Sequence, residues 1–171
     1  MKISRNLPQF NLEKVLIIVT GKQEGEFYSA FQGSIEKVDS FRFQKPVNSD
    51  NEIFLSKQGT RGAYQPGTTY NDKKEKAVAY LKLKRELRAQ IKEVSFKEKP
   101  AKIYLFSLPQ LKTVIKAAIP AENKKNTKLY FAGDFSHYHP FHLLEKIKEE
   151  IDREVKPVRY ISGEAQKILR T

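Results

Sequence analysis

From residue 101 onward, short apolar runs alternate with amphipathic stretches, and this order constrains the fold more than any other feature of the chain. Residues 101–108 and 129–132 have the composition of strands, whereas residues 109–119 and 140–154 have the spacing of helices. Alternation of strands and helices places helices against a sheet whose strands are partly parallel. An apolar stretch at 158–161 predicts one further edge strand.

The first 43 residues predict an antiparallel meander. Residues 12–20 are rich in Val, Ile and Leu, residues 25–31 alternate in polarity, and residues 34–43 form a third short apolar stretch. Gly21 and Gly25 bound the first turn. At 171 residues the chain has the size of one domain. We therefore predict a single α/β domain, residues 1–171, whose mixed sheet opens with this meander and is packed by about three helices.

A long basic loop, predicted at residues 44–71, separates the meander from the clearest helix, at residues 72–95. Asp72 is a candidate N-cap, and Glu75 completes the spacing of a capping box. Apolar residues recur at three- and four-residue steps and predict the buried stripe of the helix: Tyr80, Leu83, Leu87, Ile91 and Val94. Loops of this length inside a compact domain are uncommon, and many of them are functional.

The positive charge is concentrated around this loop and helix. The formal net charge is +12, and residues 56–102 alone contribute +8. At about 100° per residue, Lys74, Arg85, Arg88 and Lys92 fall on the side of the helix away from the apolar stripe. Leu81 interrupts them, so it either packs locally or contacts a partner. Such a cationic face suits a polyanionic partner, because each Lys or Arg that neutralises a phosphate releases a counterion.

The loop adds residue types that suit single-stranded RNA. Lys57 and Arg61 supply charge, Tyr64 offers a ring for a base, and the glycines let the backbone approach a ligand closely. Loop and helix together form one predicted RNA-binding surface. Its residues are Lys57, Arg61, Tyr64, Gln65, Lys74, Arg85, Arg88 and Lys92.

Residues 12–155 resemble the middle domain of the archaeal/eukaryotic-type class 1 translation release factors and of their bacterial and archaeal release-factor-like relatives. The resemblance rests on the opening hairpin, the glycine-rich loop at 59–67, the basic helix after it, and the later strands and helices. It implies a surface directed at the ribosome or at tRNA. In the family this loop carries Gly-Gly-Gln, which positions a water for peptidyl-tRNA hydrolysis. Here Gly62 is followed by Ala63, Tyr64 and Gln65, so the resemblance does not carry the hydrolase activity over.

Other chemistries find little support in the sequence. The chain has no cysteine, no phosphate-binding loop and no dinucleotide fingerprint, so we expect no cofactor. His137, His139 and His142 fall in one window, and a metal-dependent hydrolase built on them is an alternative. Their spacing differs from that of a metalloprotease helix, and we expect His139 to be a terminal residue of the following helix rather than a ligand. Ser136 and His137 are adjacent, which is poor geometry for a catalytic pair.

We therefore expect a non-catalytic protein that binds RNA or a ribosomal particle. The first ten residues lack the apolar run of a signal peptide, and the longest apolar stretch is too short to span a bilayer, so we expect a cytoplasmic protein with no membrane partner. A module that binds an acidic protein through the same cationic face is a further alternative.

Overall fold

A computed structural model of the chain describes residues 1–43 and 69–155, with side chains in the long first helix from Ala77 and in the last helix to Glu154. The elements are the strands β1 (Val15–Thr20), β2 (Glu24–Phe31), β3 (Ser34–Arg42), β4 (Lys102–Ser107) and β5 (Thr127–Ala132), and the helices α1 (Thr69–Glu98), α2 (Lys112–Ala118), α3 (Ala121–Lys124) and α4 (Pro140–Val155). A short 3-10 helix, Pro109–Leu111, precedes α2. The predicted α/β class is confirmed.

The five strands form one mixed sheet in the order β3-β2-β1-β4-β5. The pairs β1–β2 and β2–β3 are antiparallel, as the predicted meander requires, and β4 pairs in parallel with both β1 and β5. At the β2–β3 turn Gln32 has φ 47° and Gly33 has φ 71°. Two consecutive left-handed residues match the right-handed twist of the strands they join, and glycine adopts this conformation without strain.

Helices cover both faces of the sheet, and each face has its own core. On one face α4 packs on side chains that include Ile17 and Phe106, together with the N-terminal segment through Ile3 and Leu7. On the other face α1 and α2 pack on Leu16 and on the other strand side chains that point to that side. The division follows from the two-residue period of a strand. Consequently α1 lies on the face opposite to α4 and to the N-terminal segment.

The predicted buried stripe of α1 is present. Leu83, Leu87, Ile91 and Val94 are buried, and Tyr80 is partly buried against the same core. In α4 the adjacent residues Leu143 and Leu144 are both fully buried. Burying one apolar side of α1 fixes which of its sides faces solvent.

Two local predictions are wrong. The helix α1 begins at Thr69 rather than at 72, so Asp72 lies inside the helix and is not its N-cap. Residues 120–128, predicted as a polar connection, contain the one-turn helix α3, which lies beside the three predicted helices among the described residues. Pro120, with its φ of −57°, directs the chain into this turn, and burial of Asn123 anchors it. Residues 44–68 of the predicted loop and the predicted strand 158–161 lie outside the described residues.

The C-terminal end of α1 is tied to the sheet by polar contacts. Glu98 Oε2 accepts hydrogen bonds from Lys14 Nζ at 3.1 Å and from Ser29 Oγ at 3.0 Å. Burial alone would raise the pKa of the Glu98 carboxyl, but the two hydrogen bonds and the charge of Lys14 outweigh it and lower the pKa. The carboxylate therefore fixes the end of α1 against β2. Among the described residues, no helix has the length and apolar character needed to cross a membrane.

Candidate nucleic-acid interface

The side of α1 that faces away from the sheet carries three of the cations predicted to bind RNA. Arg85, Arg88 and Lys92 are all exposed. At 100° per residue they fall within about 60° of one another, and they rise along the helix in steps of about 4.5 and 6 Å. They therefore form a short, nearly straight row, and this part of the predicted surface is assembled by one helix. We call the solvent-facing side of α1 between Val78 and Phe96, which carries this row, the outward face of α1.

Among the residues that the structure describes, no carboxylate neutralises the row. Over residues 1–43 and 77–154, no Asp or Glu oxygen lies within 4.0 Å of the charged nitrogens of Arg85, Arg88 or Lys92, although other cations there do form such pairs. Near the row, Glu93 Oε1 pairs with Lys97 Nζ at 2.7 Å. Within the described ranges, the positive charge of the three side chains is therefore not offset by an ion pair.

The rest of the predicted surface is not described. Lys74 belongs to α1, but its side chain lies outside the described residues, and so do Lys57, Arg61, Tyr64 and Gln65. Their predicted roles remain predictions. The described part of the interface therefore consists of the second half of α1 and the elements beside it.

Apolar side chains lie among the cations on the outward face. Val78, Leu81 and Phe96 are 65%, 67% and 81% exposed. Of the two alternatives for Leu81, local packing is wrong, because its side chain is open to solvent. Phe96 has no role in the sequence prediction, since the periodicity ends the helix at Ser95. Its spacing of four residues from Lys92 is the signal that would have placed it on the cationic side.

A shallow, open depression of about 560 Å³ lies between the end of α1 and α3. Its lining is Ala89, Lys92, Glu93, Ser95, Phe96, Glu122 and Asn123. Asn123 Nδ2 donates a hydrogen bond to Ser95 Oγ at 2.9 Å, and the backbone oxygen of Asn123 accepts one from Thr127 Oγ1 at 3.1 Å. The first contact holds α3 against α1, and the second ties α3 to the start of β5. The cationic row thus adjoins a mostly apolar depression whose lining includes the polar side chains of Ser95 and Asn123.

The three histidines make separate contacts. The backbone N–H of Phe141 donates to His139 Nδ1 at 3.3 Å, which confirms His139 as a terminal group of α4. His142 Nδ1 lies 3.0 Å from Glu145 Oε2, and His137 is exposed. Over the part of the chain that the structure describes, no three His, Cys, Asp or Glu side chains are grouped in a way that suits a metal ion.

Ser136 is engaged by a carboxylate rather than by a histidine. Its backbone N–H donates to Asp134 Oδ1 at 3.2 Å, and its hydroxyl donates to the same oxygen at 2.9 Å. The backbone hydrogen bond, followed by that of the hydroxyl, lowers the pKa of the Asp134 carboxyl. The arrangement is a local turn after the end of β5, in which the Ser136 hydroxyl is directed at a carboxylate that belongs to the same turn.

Comparison with known proteins adds no family to this description. Neither a scan against protein-family models nor a search of curated proteins found a match. The geometry and the charge of the outward face are therefore the basis for assigning a function.

Proposed function

We propose that this chain binds RNA, either free or within a ribosomal particle, through the outward face of α1, and that it does so without catalysing a reaction. The observation that carries the proposal is the row of Arg85, Arg88 and Lys92, exposed and unpaired among the described residues. The row stands on a helix whose opposite side is buried against the sheet. Because the helix is packed on the sheet, the three charged side chains project from a fixed part of the protein surface.

The physical basis is electrostatic. Each phosphate neutralised by a Lys or Arg releases condensed counterions, and the affinity then falls with salt at a slope of about −0.7 per contact for a single strand. The charge distribution of the sequence supports this role, since the net charge is +12 and residues 56–102, which include the row, hold +8 of it. Binding of this kind depends on phosphates and tolerates many sequences.

The resemblance to class 1 release factors supports a ribosomal partner and a cytoplasmic location for this activity. The Gly-Gly-Gln motif is absent, because Ala63 and Tyr64 separate Gly62 from Gln65. For that reason we expect occupancy of an RNA site, as in a rescue or hibernation factor, without peptidyl-tRNA hydrolysis.

A partner protein with an acidic surface is the second candidate. The observation that favours it is the exposure of Val78 and Leu81 beside the arginines, because buried interface cores combine apolar side chains with Arg. Such a partner would use the same face, so the two candidates are separated by the chemistry of the ligand and not by the site.

Cosedimentation with ribosomal particles from gentle lysates, across a salt series, tests the proposal. We expect the chain to sediment with the particles at low salt, to be released as salt rises, and to stay in the supernatant after RNase treatment. Retention on RNase-treated protein would favour the acidic partner. Absence from the particle fraction at every salt concentration, together with no binding to purified ribosomal RNA, would contradict RNA binding.

A further inference from the structure

An exposed aromatic side chain marks the end of the cationic row. Phe96 lies one helical turn beyond Lys92, on the side of α1 opposite the core, and 81% of it is exposed. Exposing an aromatic ring to water has a cost of about the size gained by burying it elsewhere. The ring also forms one wall of the depression between α1 and α3. Sites that stack a nucleic-acid base combine an exposed aromatic ring with a nearby cation. Here Phe96 and Lys92 supply this combination at the edge of the depression.

We propose that this depression holds one unpaired base of a single-stranded RNA, stacked on Phe96, while Lys92 contacts the adjoining phosphate. The inference rests on the proposed function and specifies its ligand as single-stranded. A base within a duplex is stacked between its neighbours and cannot reach a side-chain ring on a helix surface. A base in a loop or a single strand is free to do so.

The lining of the depression offers a polar group to such a ligand. Asn123 Nδ2 is used by Ser95 Oγ, but among the described residues Asn123 Oδ1 accepts no hydrogen bond. A carboxamide oxygen of this kind accepts an N–H from the edge of a base. The Phe96 ring provides the stacking surface and Asn123 provides an acceptor, so stacking is accompanied by a modest preference for bases with an exocyclic amino group.

The charges around the depression place the phosphate near Lys92. Glu93 is paired with Lys97 at 2.7 Å, which offsets its negative charge. Glu122 is exposed at the opposite wall on α3, where it disfavours a phosphate. The phosphate therefore lies on the α1 side, in line with Arg88 and Arg85. Removal of the Glu122 charge in Glu122→Gln should tighten binding slightly.

The chain has no tryptophan, which allows a direct optical test. Phe96→Trp introduces a single indole at the proposed stacking position, and the probe is an oligoadenylate of about ten nucleotides. We expect binding to quench the fluorescence of the introduced indole, because the ring stacks on adenine. Tyr138→Trp is the matched control, since Tyr138 is a partly exposed aromatic residue beside Phe135 and α4 on the other face of the sheet. The control should bind equally well without quenching.

Affinity measurements with Phe96→Ala complete the test. We expect about a 5- to 150-fold loss on the oligoadenylate with an unchanged salt slope, and little loss on a duplex of the same length. Leu12→Ala removes an exposed apolar group outside α1 and should have a small effect. If Phe96→Ala binds the oligoadenylate like the parent, or Phe96→Trp is not quenched at saturation, the base site is refuted. RNA binding by Arg85 and Arg88 would then still stand, because it is measured separately through the salt slope.

Discussion

The Asn123 carboxamide donates a hydrogen bond to the Ser95 hydroxyl at 2.9 Å, joining the short helix α3 to the end of α1. Asn123 is buried, and Ser95 is partly buried. A four-residue helix has too few internal hydrogen bonds to be stable alone. The position of α3, and with it one wall of the depression beside Phe96, therefore depends on this contact and on the packing around it.

Asn123→Ala should lower the free energy of unfolding by about 1 to 3 kcal/mol, because it removes the hydrogen bond and leaves a small void. Urea denaturation measures this change. Ser95→Ala should cost less, and a double-mutant cycle should give a coupling of about 1 kcal/mol. Additive effects of the two substitutions would show that the contact does not hold α3 in place.

Glu98 makes the stability depend on pH. Burial would raise the pKa of the Glu98 carboxyl, but the hydrogen bonds from Lys14 and Ser29 outweigh it and hold the pKa below its ordinary value of 4.5. The group therefore stabilises the fold at pH values above 4.5, and its contribution is lost as the pH falls through the lowered pKa. Glu98→Gln should be less stable than the parent near neutral pH, and the difference should shrink in acid.

Urea denaturation at several pH values checks this prediction. Glu36→Gln is the control, since Glu36 is exposed on β3 and has no ion pair among the described residues. A stability difference for Glu98→Gln that stayed constant from neutral pH to well below 4.5 would contradict the role assigned to the carboxylate.

Gln90 offers a route to a more stable chain. Its Oε1 atom is buried without a hydrogen-bond partner in the described part of the structure, close to the apolar stripe of α1. A buried unpaired acceptor costs about 1 to 3 kcal/mol, and methionine has a similar shape without that cost. Gln90→Met should raise the midpoint of thermal unfolding. Gln110→Met, at an exposed position, should leave the midpoint nearly unchanged.

Much of the fold is predictable from local patterns. The stripe of Leu83, Leu87, Ile91 and Val94 is buried as its spacing predicts, and the strands of the meander pair in sequence order. These elements are long or strongly periodic, so the core they share decides their conformation. The start of α1 is not predictable in this way. Polar residues that precede a suitable N-cap residue can themselves be helical, and the helix then starts earlier in the chain.

The candidate site is less accessible to sequence reasoning. The cationic row follows from helical geometry, and Arg85 and Arg88 are exposed as expected. The depression beside Phe96 depends on α3, whose placement is set by burial of Asn123 and by its contact with Ser95. A four-residue helix has no detectable period, and the contact joins residues 28 positions apart. Only tertiary packing brings the two walls together.

Binding of RNA phosphates by the outward face of α1 is tested most directly by charge reversal. Arg85→Glu and Arg88→Glu, made together, are compared with Lys2→Glu and Arg5→Glu, also made together. The control pair is exposed as well, belongs to the N-terminal segment packed on the opposite face of the sheet, and changes the net charge by the same amount. Both double variants should remain folded, because none of the four side chains is buried.

The measurement is the affinity for single-stranded RNA as a function of salt. For the α1 variant we predict a large loss of affinity and a decrease of about 1.4 in the magnitude of the salt slope, since two phosphate contacts are removed. The control should keep the parent slope and most of the affinity. Equal losses of affinity in the two variants would show that binding depends on the net charge alone and not on where the charges lie. A folded α1 variant with parental affinity and slope would contradict the proposed function.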